Sequence, residues 1–199
     1  MNQTSINRHG IDLNQALTEV SASSAGGAPF LMAYGTTFLI TGILSYLLTE
    51  ETAALMVLFQ GTVALPAAFW LERRLGWGEM AADNPLRPLS LQLALSQALA
   101  LPALIVAYNL NPRAIPIMLA SLGGVHFLPY SWLHRNQLYV GLAVALSVGA
   151  FGLQLIWGPP AFHFILFYVG VIYWLAVPFV YRQAMRLTGH RGTSAVKQN

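Results

Sequence analysis

Charged side chains are scarce in this chain. Asp, Glu, Lys and Arg make up 9% of its 199 residues, whereas a soluble globular domain carries about 25%. Hydrophobic residues make up 56%, and the mean hydropathy is +0.56. So few charges cannot cover a surface that faces water, and the composition therefore predicts an integral membrane protein.

Several kinds of active site are also missing. Cysteine is absent, which excludes disulfides, thiolate nucleophiles and thiolate metal sites. No HExxH, GxSxG or glycine-rich phosphate loop occurs. The five histidines, at positions 9, 126, 134, 163 and 190, lack the paired spacing of a zinc site. We therefore predict no catalytic residue, metal or cofactor, and a membrane-embedded enzyme is the third of three functional hypotheses.

Long apolar segments dominate what is present. A helix needs about 20 mainly apolar residues to cross a hydrocarbon core of roughly 30 Å. Six segments meet this requirement without a charge in their central part: 29–48, 53–71, 90–109, 114–133, 138–157 and 161–181. None alternates polar and apolar residues as a membrane barrel does. The sequence predicts an all-α domain, 29–181, that is a bundle of six transmembrane helices in a lipid bilayer.

The basic residues indicate how such a bundle is oriented. Nine of the ten Lys and Arg lie in the N-terminal tail, the 72–89 loop, the 134–137 loop with His134 at the membrane edge, or the basic tail 182–199. Only Arg113 lies on the opposite side. The positive-inside rule then predicts that both termini lie in the cytoplasm. The basic residues form no stripe, so no nucleic-acid partner is predicted.

Residues 1–28 are polar and are predicted to form a cytoplasmic tail. Asp12 is a candidate cap for a short helix with Leu13, Leu17 and Val20 on one face. Two interpretations stay open, a frayed tail and an amphipathic helix that lies on the membrane surface. The following SASSAGGAP is predicted to be a flexible link.

Proline lies in or near most of the predicted spans. The positions are Pro66, Pro102, Pro116, Pro129 and Pro178. Proline cannot donate a backbone hydrogen bond and tends to kink a helix one turn earlier. Kinked helices can enclose a central cavity, although kinks also occur in closed bundles.

Small residues in the fifth span form a candidate packing surface. Gly141, Ala145 and Gly149 recur every four residues, and such ridges let membrane helices approach closely. Leu146 is expected to face lipid instead. The ridge supports the second hypothesis, a non-catalytic structural or regulatory subunit that packs against a partner or against itself as a homo-oligomer.

Polar residues inside the spans support the first hypothesis. An amide or imidazole without a partner in hydrocarbon is costly, so each should face the bundle interior. The candidates for binding a small molecule are Gln60, Gln97, His126, Tyr130 and Tyr173. The first hypothesis is a non-enzymatic protein that binds or passes a small molecule through a polar site around Gln60 and His126. Alternatively, the same residues only join helices through hydrogen bonds.

Three runs carry a resemblance that extends over residues 26–181. They are GGAPFLMAYGTTFLITG, AALMVLFQGTVALP and GGVHFLPYSWLHRNQLYVGLAVAL, with the motifs Phe59-Gln60-Gly61 before Pro66 and His126-Phe127-x-Pro129. The chain resembles a family of small bacterial integral membrane proteins of unknown function. The resemblance implies a six-helix membrane fold and no assigned activity, and with it we expect the chain to lie in a bacterial inner membrane.

Overall fold

The computed structural model describes residues 12–77 and 80–195, which form helices and connecting turns. Residues 1–11 of the predicted N-terminal tail and 196–199 of the basic tail lie outside this part. The α-helices of the described chain are α1 Leu13–Ser23, α2 Ala28–Leu44, α3 Glu50–Leu58, α4 Gly61–Leu75, α5 Arg87–Ser96, α6 Leu101–Leu110, α7 Ile115–Leu133, α8 Leu138–Val144, α9 Ala150–Trp157 and α10 Ala161–Ala195. The all-α prediction is confirmed over these residues.

Five helical stretches are long and apolar enough to cross a membrane. They are Ala25–Leu44, Arg87–Leu110, Pro112–Leu133, Leu138–Trp157 and Ala161–Leu187, and the pair α3–α4 makes a sixth if its 42° bend lies within one span. Each coincides with one of the predicted segments to within a few residues. The last continues without a break, since α10 carries the predicted basic tail on as helix to Ala195.

The bend between α3 and α4 lies at Phe59 and Gln60 and not at Pro66. The carbonyl oxygen of Phe59 accepts bonds from the amide and the hydroxyl of Thr62, at 3.0 and 2.8 Å. Gly61, a poor helix former, begins α4 directly after the bend. The local hydrogen bonds therefore turn the chain before the proline is reached.

The other prolines act differently from one another. Pro102 follows a 3₁₀ turn, Gln97–Ala100, that separates α5 from α6. Pro116 lies in the first turn of α7, where its missing N–H costs no hydrogen bond. Helices α7 and α10 continue through Pro129 and Pro178. The helix is thus interrupted next to Pro102, whereas Pro129 and Pro178 lie inside continuous helices.

The fifth span contains a π-helical turn, Ala145–Gly149, between α8 and α9. The hydroxyl of Tyr168 on α10 donates to the carbonyl oxygen of Ala145 at 2.7 Å. A π turn holds one more residue than an α turn and rotates the following face. Leu146 is therefore fully buried, and the expectation that it faces lipid was wrong.

The two termini of the described chain meet at one end of the bundle. Arg135, after α7, donates to the side-chain oxygen of Asn14 on α1 at 3.0 Å. Asn84, in the loop before α5, donates to the carbonyl oxygen of Ala16 at 3.2 Å. Gln183 on α10 donates to the carbonyl oxygen of Arg135 at 3.1 Å. The segments predicted to be cytoplasmic thus form one end.

The remaining connections meet at the other end. Glu50, at the start of α3, forms an ion pair with Arg113, before α7. Tyr108 on α6 donates to the carbonyl oxygen of Glu51 at 3.3 Å. The Nε2 atom of His163 on α10 lies 3.8 Å from the Oε1 atom of Glu50. Successive apolar helical stretches, with α3 and α4 taken together, therefore run in opposite directions between the two ends.

Close packing joins α2 to α10, whereas the third span is loosely attached. A Cβ added at Gly170 on α10 would lie 3.0 Å from the carbonyl oxygen of Gly35 on α2, so these backbones approach closely. In contrast, Leu104 is the single buried residue among the side chains described in α5, α6 and the turn between them. Leu99 in that span is 85% exposed.

Substitutions at two glycines, one on α7 and one on α8, can test the packing of α7 on α8. A Cβ at Gly124 would lie 2.7 Å from the carbonyl oxygen of Ala143 and closer still to the Ser147 hydroxyl, while Gly141 has open space within 4 Å. Gly124→Ala should destabilise the fold by about 1–3 kcal/mol. Gly141→Ala, the matched control, should be neutral or stabilise it by up to about 1 kcal/mol. Thermal unfolding of both variants in one detergent measures this; equal stabilities would contradict the packing.

Candidate functional site

The segment α1 packs onto the end of the bundle. Ala16, Leu17 and Val20 are buried against Leu86 and Leu133. Asp12 occupies the cap position of α1, but its side chain makes no capping bond. Leu13 is exposed, so the buried face includes Leu17 and Val20 of the predicted stripe and not Leu13. One face of α1 thus contacts protein, and Leu13–Ser23 is helical where a frayed tail was one of the two interpretations. The other interpretation, a helix at the membrane surface, stays a prediction.

A tight turn connects α1 to α2 where a flexible link was expected. Residues 24–29 are all buried. Gly26 and Gly27 have φ of 65° and 86°, a region that glycine adopts without strain. A Cβ at Gly27 would lie 2.5 Å from the Tyr139 hydroxyl oxygen. The turn is therefore fixed by its packing, and glycine is required at position 27 by both backbone conformation and space.

Two side chains from the α7–α8 region hold this turn. The Tyr139 hydroxyl donates to the carbonyl oxygen of Gly26. The Nδ1 atom of His134 lies 3.2 Å from the Ser21 hydroxyl. His134 was expected only to mark the membrane edge, yet its residue is 3% exposed. Burial lowers the pKa of His134 to about 4, so the ring is neutral near neutral pH.

A cavity of about 1030 Å³ lies directly beside the turn. Gln97, His126, Tyr130 and Tyr173, four of the five predicted binding residues, line it together. They come from the 3₁₀ turn before α6, from α7 and from α10. His134, Tyr139 and Gly27 also contribute to the lining, so the turn is part of the cavity wall.

Gln60 lies apart from the other four candidates. Its side-chain oxygen accepts a bond from the Thr37 hydroxyl at 2.7 Å, and it lines a second cavity of about 250 Å³. Tyr34, Leu65, Gln97 and Tyr173 line both cavities. The predicted cluster around Gln60 and His126 is thus divided between two adjoining cavities, because the bend before α4 directs Gln60 toward α2.

His126 makes a hydrogen bond through one of its two ring nitrogens. Its Nδ1 lies 3.2 Å from the Ser96 hydroxyl oxygen, and that hydroxyl donates to the carbonyl oxygen of Leu93 at 2.9 Å. A serine has a single hydroxyl proton, so Ser96 donates either to Leu93 or to Nδ1, and this choice sets the tautomer of the ring. Within the described residues, Nε2 of His126 has no hydrogen-bond partner.

An aromatic wall surrounds the inner part of the larger cavity. Tyr130 stacks on His134 with centroids 5.6 Å apart, and Phe127 packs edge-on against Tyr173 at 5.7 Å. Phe127, Tyr130 and His134 follow at i, i+3 and i+7 of α7, a spacing visible in the sequence. Tyr34 and Tyr139 were not predicted as lining residues, because they are on other helices and carry no local signal.

The outer part of the cavity is cationic. Arg73, at the end of α4, and Arg87, at the start of α5, line it together with Glu72. Across residues 12–77 and 80–195, no three His, Asp or Glu side chains are grouped to hold a metal. The chemistry that the cavity offers is therefore hydrogen bonding, contact with aromatic rings and attraction of negative charge.

Acid should loosen the α1–α2 turn through His134. The unfolded chain takes up a proton below pH 6.5, whereas the folded protein resists protonation down to about pH 4. The free energy of unfolding should therefore be highest above pH 6.5. It should decrease as the pH falls from 6.5 to about 4, by at most about 1.4 kcal/mol per pH unit. Thermal unfolding at pH 7 and pH 5 should show a larger loss in the natural protein than in His134→Gln. Equal losses in both would show that His134 does not titrate as described.

The chain matches a family of proteins, and the match covers the cavity. No functionally curated protein and no solved structure matches the chain. One family model, described as a family of unknown function, matches residues 13–183. The match begins at the first residue of α1 and covers the helices that line both cavities. The chain therefore belongs to the family of unknown function DUF7010.

Proposed function

We propose that the protein binds or passes a small molecule through the larger cavity. The convergence of Gln97, His126, Tyr130 and Tyr173 on a space of about 1030 Å³ carries this proposal. Ligand sites are concave, of roughly 300–1,000 Å³, and combine apolar walls with a few placed polar groups. Nε2 of His126, which has no hydrogen-bond partner among the described residues, supplies a polar atom in such a wall.

A bacterial inner membrane is the proposed location. The five or six long apolar helices support it, as does the surface of the third span, where Leu99 and Val106 are exposed. In water these side chains would form an unfavourable apolar patch, whereas lipid covers them without cost.

Six crossings with both termini in the cytoplasm are part of the same proposal. The distribution of Lys and Arg supports this orientation, because Arg73, Arg87 and Arg135 belong to the end that holds α1, and Arg113 to the other end. The exposed Arg73, Ala82 and Arg87 line the outer part of the cavity. The cavity would then open toward the cytoplasm.

The alternative of a subunit that acts through helix packing has weaker support. Gly149 already packs against Tyr168 of the same chain, while Gly141 has open space around it. The three-residue ridge is therefore divided, and a partner or second copy would find only its Gly141 end uncovered.

Single cysteines can test the cavity, because the natural chain has none. His126→Cys should react with a charged, membrane-impermeant thiol reagent in inverted membrane vesicles, since water in the cavity allows a thiolate to form. Leu99→Cys, on the 85% exposed lipid-facing position, should stay unlabelled. Mass spectrometry of the intact protein quantifies both. An unreactive thiol in a folded His126→Cys variant would overturn the proposed function.

The same reagent tests the orientation. Gln137→Cys, at the end with α1, should be labelled in inverted vesicles and protected in right-side-out vesicles. Glu51→Cys, at the other end, should show the reverse pattern. Labelling of both from one side would rule out six crossings between these ends.

A further inference from the structure

We propose that the cavity takes a single-chain amphiphile with an anionic headgroup. The headgroup would lie at Arg73 and Arg87, and the alkyl chain would extend into the smaller cavity. This inference rests on the ligand-binding function proposed above and names the chemical class of its ligand.

The outer end of the cavity carries the charge that selects the headgroup. Arg73 and Arg87 belong to different helices and line the same cavity, and Ser90 adds a hydroxyl to this lining. The hydroxyls of Ser23 and Ser24, which also line it, donate to the carbonyl oxygen of Val20. Among the described lining residues, Glu72 is the single acidic one beside these two guanidinium groups. Guanidinium groups bind phosphate and carboxylate through paired hydrogen bonds.

The arginine next to Arg73 in the sequence, Arg74, does not share this arrangement. Arg74 lies over the ring of Trp70 at 5.4 Å and does not line the cavity. Within the described residues, neither Arg73 nor Arg87 is in an ion pair with a carboxylate. The two cavity arginines thus retain donors for a bound anion, while Arg74 serves as an internal comparison.

The inner end offers an apolar environment for a chain. The smaller cavity is lined mainly by aliphatic and aromatic side chains, among them Phe38, Val57 and Leu104. Gln60, the amide at its wall, already accepts a bond from Thr37. A space of about 250 Å³ favours one alkyl chain over the two chains of a phospholipid, and its burial is favourable in proportion to its length.

The two cavities are connected, and together they fit an elongated ligand. Tyr34, Leu65, Gln97 and Tyr173 line both spaces, so the cavities adjoin at these residues. Polarity decreases along this path, from the arginines through amide and phenol groups to hydrocarbon. A short soluble anion would leave the inner space empty, and an uncharged hydrocarbon would leave the arginines without an anion.

The experiment uses dodecyl phosphate as the probe, with the full chain in nanodiscs of phosphatidylcholine and empty nanodiscs as the blank. We expect a saturable rise of the unfolding temperature with dodecyl phosphate and none with dodecyltrimethylammonium. Arg73→Gln and Arg87→Gln should each weaken binding at least roughly tenfold, and Arg74→Gln should leave it unchanged. The inference of an anionic headgroup is wrong if dodecyltrimethylammonium binds as tightly as dodecyl phosphate. It is also wrong if the three variants bind dodecyl phosphate with the same affinity.

A second pair of variants tests the chain. Leu65→Trp places a bulky ring where the cavities adjoin, and Val63→Trp places the same ring on the exposed face of α4. In the natural protein, dodecyl phosphate should bind more tightly than butyl phosphate. Leu65→Trp should abolish this difference in affinity, and Val63→Trp should preserve it. Equal affinities of the two phosphates for the natural protein would overturn the chain site.

The cysteine experiment separates this inference from the function on which it rests. If the His126→Cys variant reacts with the thiol reagent but no phosphate amphiphile binds, the cavity is accessible and the ligand class is wrong. If that variant is unreactive, the proposed function fails as well. Size-exclusion profiles and unfolding temperatures without ligand show whether each variant is folded.

Discussion

The bond from the Tyr139 hydroxyl to the carbonyl oxygen of Gly26 is the contact on which the rest of the site depends. It fixes a buried turn of two left-handed glycines, and that turn sets where α1 leaves the bundle. Because Gly27, His134 and Tyr139 line the cavity, the same contact determines the shape of its wall. A buried carbonyl without a donor is costly, so loss of this bond would weaken the turn and the cavity together.

Polar side chains serve two roles in this bundle, and their partners distinguish them. Gln60 is engaged with Thr37, and Ser21 with His134, as expected of groups that join helices. Within the described part of the chain, His126 bonds to Ser96 through Nδ1 alone, so its Nε2 is not used to join helices there. The aromatic rings around it lower the local dielectric constant, which strengthens the hydrogen bonds that form there. A group can therefore stabilise the fold and still offer an atom for binding.

Local composition was sufficient to predict the helices that are long and apolar enough to cross a bilayer, since the required length and apolarity follow directly from bilayer thickness. It also predicted that Gln97, His126, Tyr130 and Tyr173 face the interior, because an unpaired polar group cannot face lipid. The packing of α1 was missed because it depends on Leu86 and Leu133, which are far away in sequence. Leu146 was misassigned because a π turn changes the helical period without a signal in the residues. Gln60 was misplaced because the bend before α4 arises from hydrogen bonds of Phe59 and Thr62 and not from proline.

The weak attachment of the third span has a consequence for the environment of the protein. This span carries Gln97, which lines both cavities, yet Leu104 is its single buried residue among the side chains described. Little packing free energy therefore holds that wall in place. In the bilayer proposed above, the lateral pressure and thickness of the surrounding lipid would supply the missing restraint. Membrane composition would then determine cavity width, alongside the amino-acid sequence.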